Sequence, residues 1–379
     1  MKKFFAACLM LMFLAVMAGT VWAAEDDGTE EKEKRFLFMG NLKAWGINGA
    51  VGYRLPEILE ERDSILWLML GTRIEHRGYY RTVDDEFYHG SAHDYDDFTY
   101  WAGHLNWAVG FSQALINDDR KDTDLLYISL FYKGVCEDYY EEDDDQILFN
   151  SNRFDKNGLW QNSLIFEITY DSVLKDRDTA MRKGLYVSGS LEYAPRLAIN
   201  DFRGEADFIK YAFELRYFVP VVKFDEDNLL AGVYFGTSFL WDYIEGDKIP
   251  LYARQHITST LSTTAALGGL VRGYEKYRFD SELKWASRNE FRFNTRKFHI
   301  TDVNKMDVFL RFSALGFFDF GYYGTTDGDD GDMICSSGAG VLASFMDILS
   351  VSMYLAWPMA EKRLDGYRVV PVFGFGFKF

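Results

Sequence analysis

The chain has 379 residues, of which 58 are acidic and 41 basic, for a formal net charge of −17, and 17% of it is aromatic. So acidic a balance argues against a nucleic-acid partner. Beyond the N-terminus no segment approaches the run of about 18 apolar residues that a membrane helix needs. The longest, Ile65 to Leu70, is far too short.

The first predicted element is a secretory signal, residues 1–23. Lys2 and Lys3 form its charged start, residues 4–17 are almost wholly apolar, and Val21-Trp22-Ala23 puts small residues at positions −3 and −1 of a cleavage site. Cys8 lies too early for a lipoprotein cysteine. Residues 24–35, AEDDGTEEKEKR, read as a short disordered leader. From Phe36 onward, short alternating segments run near 36–54, 64–75, 100–115, 122–135, 158–171, 183–195, 207–219, 227–241, 283–293, 306–320, 334–345, 348–357 and 367–379. Some of these hold two strands. No linker or second domain is visible. The pattern predicts an all-β fold, a transmembrane antiparallel β-barrel over 36–379, in which lipid-facing and lumen-facing positions alternate.

The phases assign the faces. Ile209, Tyr211, Phe213, Leu215 and Tyr217 oppose Lys210, Glu214 and Arg216. Leu283, Trp285, Phe291 and Phe293 oppose Lys284, Arg288, Glu290 and Arg292. Val308, Leu310, Phe312 and Phe318 oppose Asp307, Arg311 and Asp319. The charges therefore gather inward. Acidic stretches at Asp84–Asp97, Glu137–Asp145 and Asp327–Asp332 read as solvated loops. Their spacing does not meet that of a calcium loop, so no metal site and no cofactor is expected. Cys136 and Cys335 are read as unpaired. At the C-terminus Phe373, Phe375, Phe377 and Phe379 alternate with Gly374, Gly376 and Lys378. Phe375, Phe377 and the final Phe379 look like a barrel's C-terminal signal; the alternative is an edge strand of a secreted sandwich.

Segment 242–281 separates two clear strands and contains Gly268-Gly269-Leu270-Val271-Arg272-Gly273-Tyr274. From here the chain resembles the bacterial surface antigen superfamily, which includes BamA, TamA and the two-partner secretion transporters. Glu290 in Asn289-Glu290-Phe291-Arg292-Phe293 and Asp319 in Phe317-Phe318-Asp319-Phe320-Gly321 match the carboxylate positions of that family. Tyr217-Phe218-Val219-Pro220, the turn residues Asp171, Arg177, Asp178 and Gly184, Ser337-Gly338-Ala339-Gly340 and Tyr354-Leu355-Ala356-Trp357-Pro358 match further motifs. The resemblance covers about 164–379. It implies sixteen strands, a long loop between the eleventh and twelfth folded into the lumen, and a lock in which Arg272, Gly273 and Tyr274 meet Glu290 and Asp319.

The resemblance implies a place in the outer membrane after signal cleavage and a role in outer-membrane protein or lipid assembly or transport. Too few residues separate the signal from the first strand for a POTRA domain. A separate periplasmic protein or lipoprotein is therefore expected to supply docking, or the barrel to act by thinning the bilayer locally. Other implied partners are outer-membrane lipids and, during biogenesis, the barrel assembly machinery. A weak seam between first and last strands is one mechanism, with Pro371 removing a ladder donor. Alternatives are a passive solute pore or a structural barrel. An enzyme is not expected: His76, His89, His93, His104, His256 and His299 fall in no nucleophile motif.

Overall fold

The computed structural model describes residues 36–378, apart from 44–45, 56–57, 59–61, 89–94, 118–123, 142–145, 177, 226–227, 262, 304–305, 326–330, 347–348 and 360–368. The expected signal, the leader, Arg177, His89, His93 and Phe379 lie outside the described residues.

The wall begins with β1 (Phe36–Lys43), β2 (Gly46–Arg54), β3 (Ser64–Gly78), β4 (Thr99–Asn117), β5 (Asp124–Tyr140), β6 (Leu159–Asp171) and a short β7 (Leu174–Lys175). It continues through β8 (Arg182–Ala194), β9 (Asp207–Lys223) and β10 (Leu230–Lys248). A long loop follows, with its own hairpin β11 (Ile257–Thr260) and β12 (Thr263–Ala265). The wall resumes with β13 (Leu283–Thr295), β14 (Phe298–Val303), β15 (Met306–Gly324), β16 (Asp332–Phe345), β17 (Leu349–Pro358) and β18 (Val370–Lys378).

Sequence neighbours pair antiparallel in one 16-stranded sheet, the expected number. Two members add no new place round the wall. β7 continues the line of β6 along β8, and β14 continues that of β13 along β15. Pairing of β13 with β15 and of β1 with β18 brings the sheet round on itself, as a barrel requires. The long loop leaves β10, the tenth strand in chain order and the ninth place in the wall, not the expected eleventh; β4 and β5, at 19 and 17 residues, run unbroken and conceal no extra strand. β10 itself continues to Lys248, so Asp242 is a wall residue and the loop proper is 249–282.

Alternation sets the two faces. Along β9, Phe208, Lys210, Ala212 and Glu214 are buried inside, whereas Tyr211 and Tyr217 are exposed. Leu66, Leu68 and Leu70, Leu164, Phe166 and Ile168, Phe291 and Phe293, and Val351, Met353 and Leu355 are exposed outside. Such a belt is stable only against hydrocarbon. Short turns lie at the end where β1 begins and β18 finishes, and the long loops lie at the other. Residues 178–181, in the turn after β7, fold inward beneath the wall. The Thr179 carbonyl accepts from Asn294 of β13 at 2.9 Å and the Asp178 carbonyl from Arg311 of β15 at 3.4 Å.

The wall is uneven in height. β1, β2, β17 and β18 have 8, 9, 10 and 9 residues, against 19 each for β4, β10 and β15. The short strands meet at the seam, where among the described residues β1 and β18 share Asn41↔Lys378 and Leu42↔Phe377. The two strands are offset, and among the described residues Val370–Gly376 has no β1 partner. Pro371 is not the cause. It pairs with Leu355 near the start of β18, six residues from the nearer seam pair, so a donor missing there breaks no bond of the seam.

Candidate functional site

The loop 249–282 fills the lumen from the long-loop end, and its descent is tied step by step to the surrounding wall and loops. Helix α1 (Leu251–Gln255) starts where the Leu251 N–H donates to Asp155 Oδ2 at 2.5 Å. Gln255 Nε2 then reaches the Gly78 carbonyl of β3 at 2.8 Å, and the His256 carbonyl accepts from Lys210 of β9 at 2.5 Å. Burial, then Arg73 and Arg77, push the His256 ring well below the usual histidine range. Neutral His256 donates through Nδ1 to the Tyr252 carbonyl at 2.8 Å and accepts at Nε2 from Arg73 at 3.1 Å. Beyond β12, helix α2 (Leu267–Leu270) delivers Leu267, Leu270 and Val271 into a buried apolar cluster with Leu240, Ile257, Phe279, Ala286, Tyr323 and Ile334. A loop of this length is held by such burial and by its polar ties together.

The tip carries the residues that the sequence singled out. Arg272 is 4% exposed and grips Asp319, which is fully buried. Its Nε donates to Oδ2 at 2.7 Å and its Nη2 to Oδ1 at 2.9 Å, a bidentate pair. Its backbone N–H also approaches Oδ2 at 3.3 Å, and Nη1 reaches Glu290 Oε2 at 3.4 Å. The guanidinium lies over Phe317, its Cζ 3.7 Å from the ring centroid. Gly273 turns the chain at φ 98°, and a Cβ there would sit 2.9 Å from the Ala356 Cβ. Tyr274 Oη donates to the Cys335 carbonyl of β16 at 3.1 Å. Arg272, Gly273, Tyr274, Glu290 and Asp319 thus come together, across α2's loop and strands β13, β15 and β16. Phe375 and Phe377 lie in β18. Cys136 and Cys335 are free thiols.

Higher in the lumen stands a second charged group that the sequence reading placed in a solvated loop. Glu137 belongs to β5 and is fully buried, not part of an exposed acidic stretch. It accepts from Arg77 Nη1 and Nη2 at 3.1 and 2.7 Å and from Tyr139 Oη at 2.8 Å, and its Oε1 lies 2.9 Å from His104 Nδ1. The strand simply rises above the membrane with its inward parity intact, Lys133, Val135 and Glu137 sharing one face. Asp85, expected to be solvated, joins loops instead. It accepts from Tyr79 at 2.8 Å and from Arg153 and Arg254 at 3.2 Å each. Arg81 closes the same lid by chelating Asp280 at 2.9 and 3.0 Å.

Lower down, Lys210 and Lys284 flank Asp242 at 2.8 and 3.4 Å, and Lys133 meets Glu192 at 3.1 Å. The inward charges expected from the strand phases therefore line the lumen, mostly as compensated pairs.

No family model and no curated protein sequence matches the chain. Its fold is similar to solved outer-membrane structures. CdiB from Escherichia coli matches with 13% identity over 88% of this chain and 53% of that one, at a TM-score of 0.50. BamA from Haemophilus ducreyi lacking POTRA domains 1–3 matches with 11% identity over 90% and 63%, at 0.47. CdiB from Acinetobacter baumannii matches with 10% identity over 91% and 59%, at 0.41. The chain spans less than two-thirds of the length of each.

Proposed function

We propose that this chain, which has the fold of the BamA/TamA outer-membrane barrels, sits in the outer membrane and serves protein or lipid assembly or transport there, together with a periplasmic protein or lipoprotein. The observation that carries this reading is the seam. Among the described residues two pairs hold β1 to β18, whereas β17 and β18 share eight. A strand such as β18 with an unpaired edge is a template for an incoming strand. The strands flanking the seam are also at or below the roughly 9–11 residues that cross a bilayer. In this reading the Arg272 group holds the loop in place and braces β13, β15 and β16 while the seam side moves. The chemistry is non-covalent; no residue is assigned a catalytic part.

The test is a disulfide across the seam. Cα atoms of paired antiparallel residues lie about 4.5–5.5 Å apart, within disulfide range. Asn41→Cys with Lys378→Cys, in a chain whose Cys136 and Cys335 are serine, is expected to abolish outer-membrane assembly when oxidised and to restore it when reduced. Equal activity in both states would sink the seam mechanism. Crosslinking at native abundance, followed by mass spectrometry, is expected to recover a stoichiometric periplasmic partner.

The second reading, a passive pore, draws on the charged lumen. The filled lumen weighs against it. If the loop is a plug, Arg272→Ala raises single-channel conductance.

A further inference from the structure

We propose that the lumen on the short-turn side of the Arg272 tip binds a phosphate group, held by Arg288 and Arg292 of β13 with Arg182 of β8 and the hydroxyls of Tyr234 and Tyr354. The proposal goes beyond the assembly role and does not depend on it.

The argument begins with a count of charges around the tip. Both oxygens of Asp319 are taken by Arg272. Glu290 is shared between Arg272, at 3.4 Å, and Arg292, at 2.5 Å. Three guanidiniums thus face two carboxylates, and Arg288 is the one left over. It stands opposite Asp319 in the β13–β15 register. Yet among the described residues it makes no hydrogen bond or ion pair, and its Nε is buried without a partner. Arg292 Nε is buried without a partner as well. An unmatched guanidinium in a partly dry lumen is unfavourable, more so beside another cation.

The surrounding wall has the form of a receptor. Tyr354 lies within electrostatic reach of both Arg288 and Arg292. Tyr234 lies 5.8 Å from the Arg292 guanidinium, ring centroid to Cζ, and stacks edge-on against Phe218. Arg182 lies 5.4 Å from the Phe218 ring, with no carboxylate within ion-pair distance among the described residues. The neighbouring inward positions of β16 and β17 include Gly340, against which the Tyr354 ring packs, and the small Ser350 and Ser352. Arg292 is 21% exposed, so the group is open to solvent.

Phosphate fits better than a carboxylate. The wall already supplies carboxylates to Arg272, Arg292 and Arg216, and a single carboxylate satisfies one fork. A phosphate carries more charge and enough oxygens for guanidiniums arriving from two strands. The group could be inorganic or belong to a lipid headgroup; the site chemistry is the same.

The probe is inorganic phosphate, titrated into the full barrel in neutral detergent at constant ionic strength, with 31P line width and heat-modifiable gel mobility as readouts. A saturable response that chloride does not reproduce is expected. Arg288→Gln is expected to weaken it about tenfold or more, the loss of one charged hydrogen-bonding partner. Arg288→Lys keeps the charge without the fork and is expected to recover part. Short-chain phosphatidic acid that competes more tightly than glycerol phosphate identifies a lipid source; equal competition identifies a soluble one. The proposal is overturned if chloride gives the same response, if folded Arg288→Gln titrates unchanged, or if a peptide of residues 24–35 binds while phosphate does not. Should Arg288→Gln fail to fold, Tyr354→Phe carries the same test: an unchanged titration there overturns the site as drawn.

Discussion

Removing either partner of the Arg272–Asp319 pair should not cost the same. Asp319→Ala leaves Arg272 with only the longer contact to Glu290, and leaves Arg288 facing it with no carboxylate between them. Breaking a buried pair in this way costs about 3–5 kcal/mol. Arg272→Ala removes a guanidinium from over Phe317, a contact worth up to about 2 kcal/mol when desolvated. It does not, however, strand Asp319, because Arg288 stands across the ladder and can take the vacated oxygens. The expected cost is therefore about 2 kcal/mol, with the ion pair largely re-formed. The assay is the fraction of barrel that keeps its compact gel mobility over a urea series. Asp319→Ala should unfold at clearly lower urea than Arg272→Ala. In an Arg288→Gln background the rescue is gone, and Arg272→Ala should then cost as much as Asp319→Ala does alone. Equal losses for the two single variants, or an Arg272→Ala loss that Arg288→Gln leaves unchanged, would refute the reasoning.

Gly273→Ala should destabilise the docked loop by about 1–3 kcal/mol, since a side chain is strained at φ 98° and meets the Ala356 Cβ; unaltered urea resistance would show that the tip relaxes freely. The lid around Asp85 should be acid-labile. Burial raises this carboxyl, but Arg153, Arg81 and Arg254 outweigh burial and hold its pKa below the ordinary 3.8. A depressed pKa contributes stability that is full above the unfolded value and is lost as pH falls through the folded one. Pepsin should therefore cut the 79–98 loop at pH values well below 3.8 but not near 5, and Asp85→Asn should expose the same loop to proteinase K at neutral pH. Identical cleavage of native and Asp85→Asn chains would remove Asp85 from the lid.

Which face of a strand looks inward was legible because the period of two survives in single segments. Lys210, Glu214, Arg288, Glu290 and Asp319 were placed correctly from phase alone. Where a strand stops was not legible. Glu137 and Asp242 sit where strands climb above the lipid and alternate in direction without alternating in hydropathy; their acidity made them look like loop residues. The cue was parity: Arg73, Glu75 and Arg77 continue the inward face of β3, and Glu137 that of Lys133 and Val135. The tip came from a motif, but its fit with Phe317 and Ala356 depends on long-range register, which no local pattern encodes. The seam was misattributed for the same reason. Pro371 is a visible local signal, whereas the offset between β1 and β18 is a property of the whole ring.

The uneven wall has a consequence beyond the molecule itself. A barrel with strands of 8–10 residues on one side and 19 on the other presents two different edges to its surroundings. Matching hydrocarbon to a low edge costs a fraction of a kcal/mol per Å of mismatch. Two low edges placed side by side share one deformed patch of lipid instead of maintaining two. In a crowded membrane this gives the barrel a directional affinity without any contact surface, drawing short-walled neighbours to its seam and leaving its tall side to ordinary ones. Company would then be chosen by height before any residue is recognised.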